Sequence, residues 1–246
     1  MRFWIAWQLL TIIPVPYRGD YSPEELGKSL GFFPLVGLFL GAVLFGLDLL
    51  LRLFLPLILV NVLLLVALIL LTGALHLDGF IDTCDGLALK SSTAERLKAM
   101  HDSRVGAFGV IGGCSMLLAQ FAGLMSLPVE LRGSALLLMP TLSRCAMVYA
   151  ICAYPPAKKE GMGWAIKQGA SGKGMALATV ISLAIAFALL RWWGLALVAG
   201  SAILVLIFAR FLCSRFEGLN GDNYGAINEF TQLAVLILVY IIANYI

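Results

Sequence analysis

Thr72-Gly73-Ala74-Leu75-His76-Leu77-Asp78-Gly79-Phe80-Ile81-Asp82-Thr83-Cys84-Asp85-Gly86-Leu87-Ala88 overlaps the end of one uncharged run, Leu53–Leu77, and then opens into carboxylates. About 20 apolar residues let a helix cross the hydrocarbon core of a bilayer. Runs free of Asp, Glu, Lys and Arg recur on both sides of this stretch: Ser29–Leu47, Val105–Val129, Gly174–Leu190, Trp192–Ala209 and Phe230–Ile246. Gly133–Ala157 is another, interrupted by Arg144 alone. The chain therefore reads as all-α: one polytopic transmembrane bundle of about seven spans over residues 1–246. Only Arg191 separates 174–190 from 192–209, so that pair is either a tight hairpin or one long bent segment. Phe3–Tyr17 is apolar but short and reads as interfacial or re-entrant, within a cytoplasmic N-terminal segment 1–28.

Composition agrees. Of 246 residues 61% are hydrophobic and 13% charged, with mean hydropathy +0.96, whereas soluble domains are about 45–50% apolar and about 25% charged. A soluble globular enzyme, a disordered chain and a disulfide scaffold are excluded. A net charge of +3 is too small for a nucleic-acid partner. The five cysteines form no CxxC and read as buried thiols, and no signal-peptide cleavage site follows Met1.

Thirteen of the 17 Lys and Arg fall in alternate-side segments: the N-terminal stretch, loops 76–104 and 155–173, and the end of the sixth span with loop 213–229, which carry Arg210 and Arg215. Arg52, Arg132 and Arg191 lie on the other side. The positive-inside bias puts the N-terminus in the cytoplasm and, with seven spans, the C-terminus outside. Twelve of 14 acidic residues share the cytoplasmic segments, which suits a site built there. Asp48 and Arg52 read as an interfacial pair on the outer side. Gly37-x-x-x-Gly41 and Gly109-x-x-x-Gly113 read as helix-packing positions.

Asp78, Asp82 and Asp85 stand at i, i+4 and i+7, on one helical face. Against a span end their mutual repulsion is costly, and a divalent cation relieves it. Oxygen ligands without neighbouring thiols suit Mg²⁺, or Mn²⁺, rather than Zn²⁺; the bland reading is a solvated acidic face. His76 reads either as a group orienting a carboxylate or phosphate or as a span cap. A second cluster, His101-Asp102-Ser103-Arg104-Val105-Gly106, closes the same loop. There Asp102 is a ligand candidate and Arg104 a phosphate fork, or the two are a local surface pair. A third, Asn220-Gly221-Asp222-Asn223-Tyr224-Gly225, precedes Glu229 at a spacing of seven from Asp222. Lys158 and Lys159 in a Gly-rich loop suit a diphosphate, or anionic lipid. Arg144 is an intramembrane cation and a site candidate on that ground alone. Carboxylates, a divalent metal and Arg or Lys donors are the equipment of phosphoryl transfer at the cytoplasmic face.

On these motifs the chain resembles the cobalamin synthase family (adenosylcobinamide-GDP ribazoletransferase). The resemblance rests on Leu10-Thr11-Ile12-Ile13-Pro14-Val15-Pro16, Phe32-Phe33-Pro34-Leu35-Val36-Gly37, the Thr72–Gly86 stretch, Asp102-Ser103-Arg104-Val105-Gly106 and Gly221-Asp222-Asn223-Tyr224-Gly225-Ala226. It implies a Mg²⁺-dependent enzyme of a prokaryotic inner membrane. Such an enzyme joins adenosylcobinamide-GDP to α-ribazole, or its 5′-phosphate, and releases GMP. Its product is adenosylcobalamin or the 5′-phosphate. Carried onto this chain, Asp78, Asp82, Asp85 and Asp222 would hold the metal. Asp82, Asp85, Asp102 and Arg104 would serve the chemistry, with one carboxylate accepting the proton of the ribazole hydroxyl. His76, Arg144, Lys158, Lys159, Asn220 and Gly221 would bind substrate, Arg144 with Arg104 stabilising phosphoryl charge. Association into a homo-oligomer is left open. Two alternatives stand beside this one. Asp82-Thr83-Cys84-Asp85-Gly86 also resembles the opening of the CDP-alcohol phosphotransferase signature, departing from it by Leu89. A cation transporter would use the same carboxylates, although they gather at one face rather than at mid-membrane.

Overall fold

The structure is a computed structural model that describes residues 1–15, 19, 21–102 and 104–245. Pro16, Tyr17, Ser103 and Ile246, cited above in motifs or runs, lie outside the described residues. Eleven α-helices follow in order: α1 (Arg2–Leu10), α2 (Pro23–Ser29), α3 (Phe33–Leu51), α4 (Leu57–Thr72), α5 (Leu75–Ala88), α6 (Thr93–Ala99), α7 (Ala107–Met125), α8 (Val129–Ala153), α9 (Gly161–Gly169), α10 (Gly172–Phe216) and α11 (Gly221–Ala243). No strand occurs among the described residues. Among the described residues five helical stretches are long and apolar enough to cross a membrane, or six if the bent pair α4–α5 counts as one broken span. The chain is an all-α polytopic membrane protein.

Local chemistry sets several boundaries. Ser22 and Ser92 each form a capping box with the glutamate three residues on, starting α2 and α6. Pro56 precedes α4, and Gly73 ends it in the left-handed conformation (φ 62°). Ala74 is left-handed too, and the chain turns by 92° before α5 begins. The run Leu53–Leu77 is thus not one straight span: the break at Gly73-Ala74 lays α5 across the ends of α7, α10 and α11. Two further expectations need correction. The 155–173 loop contains a helix, α9, and the 213–229 loop shrinks to Glu217–Asn220 because α10 runs on and α11 starts early.

α8 is the central helix, packed against α3, α10 and α11. Gly37 and Gly41 let α3 approach it closely: a Cβ at Gly37 would lie 2.2 Å from the Pro140 carbonyl oxygen, and one at Gly41 2.7 Å from that of Leu136. Leucines and isoleucines on the outer surface, among them Leu53, Leu70, Leu118 and Ile207, remain exposed and suit contact with lipid tails. α10 is two helices in space. Arg191 has φ 52° and ψ −132°, and a Cβ on Gly194 would fall 2.0 Å from the Ala186 carbonyl oxygen. Thr179 and Val205 line the same small cavity; a straight helix would hold them about 39 Å apart. The hairpin is therefore the alternative the structure adopts.

Asp48 is not simply an interfacial partner of Arg52. It is buried, accepts a hydrogen bond from Arg132 Nε at 2.8 Å, and leaves Arg52 at 3.6 Å. Arg132 also donates to the Leu124 carbonyl at 3.0 Å and to Asn61 Oδ1. A buried ion pair tolerates desolvation only when its remaining donors are satisfied, and here α3, α4, α7 and α8 supply the partners.

Candidate active site

Two glycines bring the acidic residues together. A Cβ on Gly79 of α5 would meet Asp222 Cα at 2.8 Å, and one on Gly225 of α11 would meet the His76 carbonyl oxygen at 2.9 Å. The helices cross at near backbone contact, and Asn223 Nδ2 donates to Thr83 Oγ1 at 3.2 Å beside the crossing. Asp78, Asp82 and Asp222 are thereby collected from two helices. Asp82, on the helix that lies across the bundle end, is pushed up to about 7, by partial burial first and then by the charges of Asp78, Asp222 and Asp85.

Asp85 shares the α5 face, but its oxygens are committed elsewhere. They accept from the backbone N–H groups of Gly106 at 2.8 Å and Gly109 at 2.7 Å, at the start of α7. A Cβ at either glycine would stand 2.4 Å from an Asp85 oxygen. This is a carboxylate placed on a helix N-terminus, with one backbone N–H on each of its oxygens. Gly109 is small to admit Asp85 as well as to pack against Ile81 of α5.

Asp78 and Asp222 border a cavity of about 550 Å³ whose lining also includes His76, His101, Lys158, Asn220 and Gly221. Pro155 and Ala157 pair with Leu219 through backbone hydrogen bonds of 2.9 and 3.0 Å, which sets Lys158 beside the α11 start. Lys158 Nζ lies 3.1 Å from His101 Nε2. α9 forms a wall. Lys167 holds it by donating to the carbonyls of Ile151 and Cys152 at 2.7 and 2.9 Å, unsatisfied acceptors at the α8 C-terminus. Asn220 caps α11 by accepting from the Asn223 N–H at 2.9 Å, and its amide donates to Asp222 Oδ2 at 3.1 Å. Lys159 is not among the lining residues.

Other candidates lie apart. Asp102 accepts from the backbone N–H and Nε of Arg104 at 2.9 and 3.3 Å, and both side chains are exposed. That partner holds Asp102 below the usual carboxylate range. Their loop is nevertheless tethered next to α5, because Gly106 is bound to Asp85. Arg144 is fully buried within α8 and lines a small cavity with Glu229, not the one that Asp78 and Asp222 border. Glu229 is two turns below Asp222 and is held by Gln120, Asn228 and Gln232 at 2.8, 3.0 and 3.1 Å, so the two acids do not share a site.

Among the described residues no group of three or more His, Cys, Asp or Glu side chains is arranged as a metal cage. Mg²⁺ does not need one, since it keeps several waters and binds through one or two carboxylates together with substrate phosphates. Asp78, Asp82 and Asp222 fit that donor set: all-oxygen and mutually repulsive, with Asp78 and Asp222 open to the cavity.

The family description "Cobalamin-5-phosphate synthase" matches residues 2–240. Similar curated proteins named adenosylcobinamide-GDP ribazoletransferase include one from Geotalea daltonii, 35% identical over 95% of this chain and 94% of its own length. Those from Desulfitobacterium hafniense and Pseudomonas syringae pv. syringae are each 37% identical over 96% of this chain, covering 95% and 98% of their own lengths. No solved structure matches. On a match that runs almost end to end and includes every residue of the α5–α11 crossing, the chain belongs to the cobalamin-5-phosphate synthase family.

Proposed function

We propose that this chain joins adenosylcobinamide-GDP to α-ribazole, or to its 5′-phosphate, releasing GMP and giving adenosylcobalamin or its phosphate. The relatives carry that name. The observation that carries the reading onto this chain is the convergence of Asp78 and Asp222 on a cavity that also holds Lys158 and His101, with Asp82 close enough to feel both charges. Membership of this family removes the reasons for reading the chain as a CDP-alcohol phosphotransferase or a cation transporter.

In the proposed reaction a ribazole hydroxyl oxygen attacks the phosphorus that carries the corrinoid. A new P–O bond forms, the bond to GMP breaks, and the hydroxyl proton passes to a carboxylate of the α5–α11 crossing. Asp78, Asp82 and Asp222 are the residues that would hold Mg²⁺, or Mn²⁺, which when bound offsets charge on the phosphate oxygens. Lys158 and His101 supply donors to the phosphate end. Arg104, exposed and paired with Asp102, is the fork assigned to the diphosphate when substrate binds. We place the site at the cytoplasmic face of a prokaryotic inner membrane. Counting α3, α4, α7, α8, both halves of α10 and α11 gives seven crossings, a cytoplasmic N-terminus and an external C-terminus.

The test is nucleotide release by purified protein in detergent or liposomes. GMP release from adenosylcobinamide-GDP that requires both Mg²⁺ and α-ribazole is expected. CMP release from CDP-diacylglycerol, or no turnover with the corrinoid, would overturn the reading.

A further inference from the structure

Behind the carboxylates the cavity becomes apolar. Leu10, Phe33, Met147, Ile151 and Ile166 form its deep wall and are buried. Two of the lining side chains carry buried polar atoms behind its surface. Among the described residues neither ring nitrogen of His76 nor the hydroxyl of Tyr224 has a hydrogen-bond partner, at 2% and 3% exposure. Leaving such groups unpaired costs free energy that a ligand recovers by pairing with them. The cavity is thus shaped for a molecule with an apolar body, few polar atoms at its far end, and a hydroxyl near Asp78 and Asp222.

Resting on the ribazoletransferase reading, we infer that this cavity is the acceptor pocket and takes α-ribazole base first, with His76 and Tyr224 as specificity-determining residues. Its benzimidazole base carries two methyl groups and a single ring nitrogen not used by the glycosidic bond. The methyl groups match the wall of Leu10, Met147 and Ile151. The free nitrogen is an acceptor for the Tyr224 O–H or a His76 N–H. The ribose then lies toward the mouth, where its hydroxyls face Asp78 and Asp222. The other substrate suits the cavity poorly. Guanine presents a carbonyl, a ring N–H and an amine that this wall cannot pair. A corrin macrocycle with its rim of amides exceeds a space in the range that holds one drug-sized molecule. The GDP-corrinoid therefore approaches from outside the mouth, past Lys158 and His101, and the phosphoryl group is transferred where the two substrates meet.

Kinetics with both substrates varied test this. Tyr224→Phe removes only the hydroxyl, and Ile151→Phe fills the deep wall. Each should raise the KM for α-ribazole by about tenfold, the worth of one hydrogen bond or one misfitted apolar contact, with the KM for adenosylcobinamide-GDP within about twofold of wild type. Wild-type protein should prefer α-ribazole over the riboside of unmethylated benzimidazole, and Ile151→Phe should reverse that preference. An unchanged acceptor KM in both variants, or a rise confined to the KM of the GDP-corrinoid, overturns the assignment and leaves the overall reaction standing. A binding measurement separates the two readings. Trp164 also lines the cavity, so α-ribazole alone should quench wild-type tryptophan emission saturably, and Trp164→Phe protein much less. Quenching without GMP release would retain the pocket and sink the reaction. Absence of quenching overturns the pocket.

Discussion

Gly79 and Asp222 touch through their backbones: a single added carbon on Gly79 would stand 2.8 Å from Asp222 Cα. That contact decides how close the α5 carboxylates come to the α11 carboxylate. Gly79→Val should separate the helices, lower GMP release by more than about tenfold through misplacement of the reacting groups, and leave membrane insertion intact. Wild-type turnover by Gly79→Val would show that the crossing does not position the site.

Asp82 is repelled by three neighbours, so its removal should divide function from stability. Asp82→Asn is expected to lower kcat by at least about 100-fold, while the metal-free protein melts at the wild-type temperature or above it, because a buried repulsion is relieved. Chelation with EDTA should stop the wild-type enzyme, and added Mg²⁺ should restore it. Near-normal turnover by purified Asp82→Asn would remove this residue from the ligand set.

Asp85→Ala should behave in the opposite way. Two backbone N–H groups at the α7 start lose their acceptor, a loss of about 1–2 kcal/mol. Thermal unfolding in detergent should show it, and the Mg²⁺ concentration giving half-maximal rate should stay put. A shift in that concentration with unchanged melting would return Asp85 to the metal.

The contrast between Asp82 and Asp85 shows what the sequence could disclose. Spacing at i, i+4 and i+7 put the three α5 acids on one face, and that much holds. Spacing does not show that the helix end meeting Asp85 starts 21 residues later, although Gly106 and Gly109, three apart at that end, are the trace of it. Asp222 belonged with the first cluster because Gly79 and Gly225 let two backbones touch, a tertiary fact. Arg144 and Glu229 were legible as costly charges but not as buried neighbours. Apolar runs located the spans because a bilayer demands them, whereas α9, with three glycines and one lysine, looks like a loop until it is packed against α2 and α8. The N–H and carbonyl partners that stop α4 at Gly73 are local, yet the uninterrupted apolar run Leu53–Leu77 concealed the turn there.

Asp48 and Arg132 form a test of the opposite end of the bundle. Arg132→Met leaves a buried carboxylate with only the distant Arg52, which should cost about 3–5 kcal/mol. Pairing it with Asp48→Leu should restore most of that. The double variant should melt well above Arg132→Met alone and keep its specific activity.

Arg191 occupies a left-handed conformation better suited to glycine. Arg191→Gly should raise thermal stability by about 1 kcal/mol with no change in turnover. A lower melting temperature would mean that the Arg191 contact with the Phe187 ring at 6.0 Å outweighs the strain.

That one-residue reversal also bears on biogenesis. With no hydrophilic connector between its arms, the 172–216 segment gives the translocon nothing to export between two successive helices. Its arms must therefore leave the lateral gate for lipid together, already folded on each other, so a ribosome stalled before the second arm emerges would hold the first one back.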